Sequence, residues 1–253
     1  MCLMRRFLAV LVLGLALPAL VQAASNPVVS AAKRTAAAKT VTFRIAATTT
    51  VAGGRATMTG SGVQRGSEAR LSLRVGQGGA AVRMDAVLLE EGGSYVVYMR
   101  SPLFASQLPQ GKSWIRIDLS KQTASLGVDF SSLMSTSQTF VPLEKGLVST
   151  TRKGRAVVAG RSTTHYRAII DVKRAARLVP AYGKQVAAIQ RATGVTLGRV
   201  PYDVWVAGDG RIRQVRYATP TVQNGKTVQT MTFLAFNERV TIEAPPRSQV
   251  VSP

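Results

Sequence analysis

The feature that most limits the fold is a series of glycine-bearing turns that divide alternating, β-branched runs. "TVTFRIAATTTV" is parted by Gly53-Gly54 from "RATMTGSGVQ", and Gly66 parts that run from "EARLSLRV". "AAVRMDAVLLE", a turn over Glu90–Gly93, "SYVVYMR" and, after a loop, "SWIRIDLS" follow. "GRAVVAGRSTTHYRAIIDV" reads as two strands around Gly160. The chain ends in a meander: "PYDVWVAG", Asp209-Gly210, "RIRQVRYATP", Asn224-Gly225, "KTVQTMTFLAF" and "RVTIEAPP". Asp-Gly and Asn-Gly between alternating runs are strong hairpin signals, because glycine and the short polar residues accept positive φ. The sum is about ten or eleven antiparallel strands.

Three segments break the pattern with helical signals. "SNPVVSAAKRTAAAK" has Asn26 to cap it and Pro27 for its first turn. Residues 128–146 are short of β-branched residues and hold Leu133, Met134 and Leu143. In "KRAARLVPAYGKQVAAIQRATG", Leu178, Tyr182, Val186 and Ile189 recur at helical spacing as one apolar face, with Pro180 as a kink or a new start. With no internal linker or low-complexity tract, the class expected is α+β, with residues 24–253 as one domain.

The strand faces ask for cover on both sides. Val82, Met84, Ala86 and Leu88 share one face of their strand. Tyr95, Val97 and Met99 share a face of theirs, yet Val96 and Tyr98 make its other face apolar too. A sheet wet on one side alternates cleanly. The helical segments are the expected cover, and a curved sheet wrapped over them can leave an internal space. The loop after "SYVVYMR" carries Leu103, Phe104 and Leu108, apolar residues where loops are usually polar.

The N-terminus points outward. Arg5 and Arg6 precede an apolar run from Phe7 to Leu17, then Pro18 and "VQA". This is the pattern of a secretory signal peptide over residues 1–23, cut after Ala23. The run approaches the length of a membrane span, but Pro18 and Gln22 interrupt it. The only cysteine, Cys2, would leave with the signal, which excludes a disulfide, a thiol nucleophile and a lipid anchor there. The protein is then expected in the periplasm or cell envelope, or secreted. The formal net charge is +21, of which Arg5 and Arg6 supply two, leaving +19. Residues 151–217 hold 14 Lys and Arg against Asp171, Asp203 and Asp209. Outside the cytoplasm such charge suits anionic headgroups or wall polymers rather than nucleic acid. Lys173, Arg174, Arg177, Lys184 and Arg191 are the expected contacts with an anionic membrane surface.

Catalytic patterns fail together. His165 is the only histidine and sits in a strand pattern with no acidic neighbour in sequence before Asp171. No Gly-x-Ser-x-Gly elbow occurs. The twelve acids are scattered, and Glu90-Glu91 on a strand would point to opposite faces. "GQGG" at 76–79 reads as a hairpin tip, not a phosphate loop. The expectation is a non-enzyme without metal or cofactor.

Three segments carry a resemblance. "GGSYVVYMRSPLFASQLPQGKSWIRIDLS" joins a Tyr strand, an apolar loop, Gly-Lys-x-Trp and an Asp-Leu-Ser end. "GRSTTHYRAIIDV" and "VPYDVWVAGDGRIRQVRY" follow in order, with "VTIEAPP" at the close. Over roughly residues 28–246 the chain resembles the LppX/LprG lipoprotein family of the LolA/RseB-like superfamily. That resemblance implies a U-shaped antiparallel half-barrel with helices across its concave side. It also implies a hydrophobic cavity between them that holds the acyl chains of a lipid or glycolipid, for transport or sensing in the envelope. Family lipoproteins carry a lipidated cysteine after the signal; this chain has none, so a soluble carrier or sensor is expected. An envelope protein partner is a further expectation. The expected lining is Met84, Val97 and Met99 from neighbouring strands, Met231 and Phe233 from the penultimate strand, and Leu133, Met134, Val186 and Ile189 from the helices, with Leu103 and Phe104 near the mouth. The alternative is a non-catalytic envelope module with a filled core, whose basic face docks on anionic membrane or polymer.

Overall fold

The computed structural model describes residues 26–52, 54–119, 136–221 and 224–251. The signal-peptide reading falls on residues outside these.

Helix α1 (Pro27–Ala36) forms where the sequence places it: Asn26 accepts the Val28 N–H at 3.0 Å, and Pro27 opens the first turn. Its buried face is Val28, Ala31, Ala32 and Thr35. Thr35 is fully buried and fully used. Its hydroxyl donates to the Ala31 carbonyl at 2.7 Å and accepts the Ile212 N–H at 2.9 Å, fastening α1 to the sheet.

Six strands follow: β1 (Thr40–Val51), β2 (Gly54–Arg65), β3 (Glu68–Gln77), β4 (Ala80–Glu91), β5 (Ser94–Arg100) and β6 (Trp114–Asp118). A one-turn helix, α2 (Pro102–Ala105), lies between the last two. After α3 (Thr136–Lys145) come β7 (Leu147–Val158) and β8 (Arg161–Asp171), then α4 (Val172–Leu178) and α5 (Pro180–Thr193). Strands β9 (Arg199–Ala207), β10 (Ile212–Pro220) and β11 (Lys226–Phe236) make the final meander, and β12 (Val250–Val251) is a short edge piece. Among the described residues twelve strands form one open, curved sheet in the order β12-β6-β5-β4-β3-β2-β1-β11-β10-β9-β8-β7.

The order explains the layering. Two antiparallel meanders are joined side by side through β1 and β11. The chain therefore leaves the first meander at β6 and enters the second at β7, ten strand positions away, or about 48 Å along a flat sheet. Helix α3, which precedes β7, lies on the inner face. Phe140 and Leu143 of α3 are buried against Phe233, Ile170 and α1 in the main core. Phe140 and Phe233 pack with ring centroids 5.5 Å apart. Gly60 and Gly62 of β2 make room on this inner face: a Cβ on Gly62 would meet Leu71 at 2.6 Å and Phe43 at 2.9 Å.

Three expectations need correction. The second apolar face of β4–β6 is covered not by helices but by the C-terminal segment. Ile242 seats among Val87, Leu89, Val96, Tyr98 and Trp114 on the outer face, with Val240 and Val250 beside them. The segment read as a strand in "RVTIEAPP" is a strap instead, since Pro245 and Pro246 offer no N–H to a ladder. Only Val250 and Val251 pair, in parallel with Trp114 and Ile115. The apolar helix face is also divided. Leu178 ends α4 and is 58% exposed, because Pro180 starts a new helix with a different phase.

Candidate functional site

Residues paired across a ladder share a face, so the registers say what the inside presents. Val215 of β10 pairs with Met231 of β11 and Val204 of β9, and Tyr217 pairs with Gln229 and Tyr202. Val215, Met231, Tyr202, Tyr217 and Gln229, with Val200 and Phe233, floor a cavity of about 460 Å³. Pro142 of α3, Tyr182 and Val186 of α5, and Leu197 of the following loop roof it. Thr219, Thr221 and Thr227 line its end by the β10–β11 turn. Among the described residues no Asp, Glu, Lys, Arg or His lines this space.

The tyrosines keep it uncharged. Tyr202 and Tyr217 stack with centroids 4.5 Å apart and planes 16° from parallel. Burial, and then the neighbouring Tyr217, pushes the Tyr182 phenol up to about 12. Burial raises Tyr202 well above the ordinary phenol value and raises Tyr217 too. The cavity is thus an apolar slot whose polar groups are neutral hydroxyls and amides.

Of the lining expected from sequence, Val186, Met231 and Phe233 come together here. Met84, Val97 and Met99 lie on the same inner face but further round it. Met231, Ile45, Gly60, Leu73 and Met84 form one row across five strands, so Met84 is about 19 Å along the sheet from Met231. Val97 packs beside Ala69, Leu88 and Leu119, and Met99 pairs with Ala86 and Ile115. All three are half-buried. Leu133 and Met134 fall outside the described residues, as does the side chain of Ile189 on α5. Leu103 and Phe104, expected near the mouth, do not border this cavity. Ser101 caps α2, which lifts Leu103 to 59% exposure, while Leu108 borders a separate hollow with Arg83, Arg100 and Lys112.

Sequence reading missed Tyr202, Tyr217, Val200 and Val215 as lining. Their alternation was visible as strand, but nothing local says that β9 and β10 face the helices. Tyr182 was on the helix face that was read, and its position is as expected.

His165 has an acid partner that its own strand does not supply. Its Nε2 is 2.9 Å from Asp203 on β9, and its ring stacks on Trp205 at 4.5 Å and 7°. Arg167 holds the other Asp203 oxygen at 2.6 Å. The trio lies on the outer face, on the opposite side of the sheet from the cavity. Among the described residues no group of three or more His, Cys, Asp or Glu is placed to hold a metal. Lys173, Arg174, Arg177, Lys184 and Arg191 are exposed on α4 and α5. Among the described residues no helix is long and apolar enough to cross a membrane.

No family model and no curated protein matches the sequence. Solved structures do. LprF from Mycobacterium bovis aligns over 87% of this chain and 95% of its own, with TM-score 0.52 and 13% identity. The Mycobacterium tuberculosis lipoprotein LppX aligns over 87% of this chain and all of its own, with TM-score 0.42 and 15% identity. The likeness to LprF is one of fold, and the open antiparallel half-barrel with helices across its inner face, expected from sequence, is the architecture observed.

Proposed function

We propose that the protein binds a lipid or glycolipid non-covalently, with acyl chain in the cavity between β9–β11 and helices α3 and α5, and that it carries or senses that lipid in the cell envelope. The observation behind this reading is a space of about 460 Å³ whose lining, among the described residues, holds no charged side chain. Ligand pockets run from about 300 to 1,000 Å³. Each buried CH₂ contributes roughly 0.8 kcal/mol, so about twelve carbons gain on the order of 9 kcal/mol before ordering costs. No catalytic group is needed. The half-buried inner face of β3–β6, with Met84, Val97 and Met99, extends the apolar surface for a longer or second chain; methionine adapts to variable partners. The threonines near the β10–β11 turn offer hydroxyls to an ester or sugar. The exposed cations of α4 and α5 lie on the helices that roof the cavity and suit contact with an anionic membrane during loading. In this reading residues 1–23 are removed on export and 24–253 act as one domain.

The test is native mass spectrometry of the mature protein, with organic extraction of what co-purifies, beside fluorescent-lipid binding. Val186→Trp and Met231→Trp are expected to lower lipid binding about tenfold or more while the protein stays folded. If the wild type binds no lipid and the variants only melt earlier, the cavity is ordinary core. Overpacking of that kind costs about 1–3 kcal/mol.

A further inference from the structure

The outer face of the sheet holds a second feature, independent of the cavity and on the opposite side. The C-terminal strap is pinned at two places. At one, Ile242 sits in its apolar cluster and the Arg70 guanidinium donates to the Glu243 carbonyl at 3.2 Å. At the other, Val250 pairs with Trp114 and the Ser113 N–H donates to the Gln249 carbonyl at 2.9 Å. Between the pins, the stretch with Pro245 and Pro246 borders a hollow of about 710 Å³ over the strands. Small side chains, Ser61 and Ser72, give it depth. Two more hollows adjoin it, one of about 330 Å³ bordered by Arg44 and Arg74, the other of about 480 Å³ bordered by Lys112 and Leu108. Arg83 borders all three, so they form one trough.

The register decides the charge of this trough. Arg44, Ser61, Ser72, Asp85 and Arg100 make one row across β1–β5. In the next row Arg74 and Arg83 stand directly opposite each other, a like-charge pairing that destabilises a sheet. Asp85 answers Arg83 at 3.1 Å and Arg100 at 2.8 Å. Burial alone would raise the Asp85 pKa, but the hydrogen bonds from Arg100, Ser72 and Arg83 outweigh it and hold the carboxyl below its usual value. Asp85 is thus shared by two arginines, and Glu243 of the strap is the other acid bordering the trough; Arg44, Arg70, Arg74, Arg83, Arg100 and Lys112 outnumber the two, and the Arg74–Arg83 repulsion is left for an outside anion to relieve. Val63, Val87 and Trp114 give the same trough an apolar wall.

We infer that the trough is a docking site for an extended acidic segment of a partner polypeptide. Arginine forks take carboxylates two bonds at a time. The row from β1 to β5 spans about 19 Å, the reach of about six extended residues. The strap shows that this face accepts extended chain, since it seats an isoleucine here and pairs with the edge strand. A flat bilayer meets the raised strap before the floor, which favours a polypeptide over a membrane.

The experiment uses the full mature chain and a short fluorescein-labelled peptide of alternating Glu and Val, with its Gln-for-Glu counterpart as control, read by fluorescence anisotropy. The Glu peptide is expected to bind and the Gln peptide not. Arg74→Glu with Arg83→Glu is expected to weaken binding about tenfold or more, and Arg44→Gln to weaken it less. Both changes lie at exposed positions, and the melting temperature and lipid uptake of each variant check that it stays folded. Lys173→Glu with Arg177→Glu makes the same change in net charge on the inner side and should alter peptide binding by less than about twofold. The inference is overturned if the two double variants weaken binding alike, if the Glu and Gln peptides bind equally or neither binds, or if phosphatidylglycerol vesicles rather than the peptide lose binding on Arg74→Glu with Arg83→Glu. Lipid uptake is scored separately, so failure here leaves the cavity reading standing, and the reverse.

Discussion

Asp209 shows how much one side chain organises in a chain so rich in arginine. It lies at the β9–β10 turn, where its carboxylate meets the Arg213 guanidinium at 2.7 Å and the Arg211 backbone N–H at 3.1 Å. Its own carbonyl accepts from Arg34 of α1 at 3.1 Å. Arg213 is almost fully buried, lies over the Phe236 ring at 4.8 Å, and has an Nε with no partner among the described residues. Asp209→Asn would leave that cation without its counter-charge. Breaking a buried pair costs about 3–5 kcal/mol, but the Asp209 side chain is 36% exposed, so solvent screening reduces the expected loss to about 1–3 kcal/mol. Urea unfolding of wild type and variant at neutral pH measures it. The pH dependence has a definite sign. Burial by itself would raise the Asp209 pKa, but the Arg211 backbone hydrogen bond and the charges of Arg213 and Arg211 outweigh it and depress the value. A depressed carboxylate contributes its full stability above the unfolded pKa, about 3.9, and loses it as pH falls below that toward the folded value. Acid titration should therefore narrow the gap between wild type and Asp209→Asn, and a gap constant down to the acid limit would show that the charge is not what stabilises.

At the level of elements, the joints between helix and sheet carry single, named loads. Thr35 is one: Thr35→Val keeps the shape but removes the acceptor of the Ile212 N–H, leaving a buried donor unpaired. The expected loss is about 1–3 kcal/mol, with amide exchange at Ile212 speeding up more than exchange in β3 or β4. Uniform acceleration across the sheet would mean that the bond does not fasten α1 locally. Gly62 is another. On β2 its missing Cβ lets Leu71 and Phe43 close over the strand, and the Arg70 carbonyl, 2.9 Å from a built Cβ, cannot move aside as a side chain can. Gly62→Ala is expected to destabilise by about 1–3 kcal/mol in urea melts, more than Gly198→Ala, where a Cβ meets nothing within 4 Å.

For the molecule as a whole, the two faces of one sheet differ: a slot under helices inside, with no charged side chain among the described residues, and a basic trough beside a strap outside. Exposed cations lie on both sides, Lys173 and Arg177 inside and Arg74 and Arg83 outside. The mature protein is expected to co-sediment with phosphatidylglycerol vesicles and not with phosphatidylcholine. Binding should fall as salt rises, since exposed charge is screened over about 8 Å at physiological ionic strength. Lys173→Glu with Arg177→Glu should weaken it; equal binding to neutral vesicles would remove the electrostatic basis for membrane contact. Much of the fold was legible beforehand because its signals are local. Asn26 and Pro27 mark a helix start, Asp209-Gly210 and Asn224-Gly225 mark turns, and alternation marks the strands between them, each within a few residues of chain. Pro180 likewise announces that α5 is a new helix. The site was legible only as a list of apolar side chains on one face, which is why Met84 and Met231 could be named but not told apart. What the tertiary structure alone decided are contacts between distant segments: the β1–β11 pairing that joins the two meanders, the strap in place of a helix over Val96 and Tyr98, and Asp203 beside His165. Strand pattern says that a residue has two sides, but only the curvature of the open sheet and the elements packed on it say which side meets helix, strap or water.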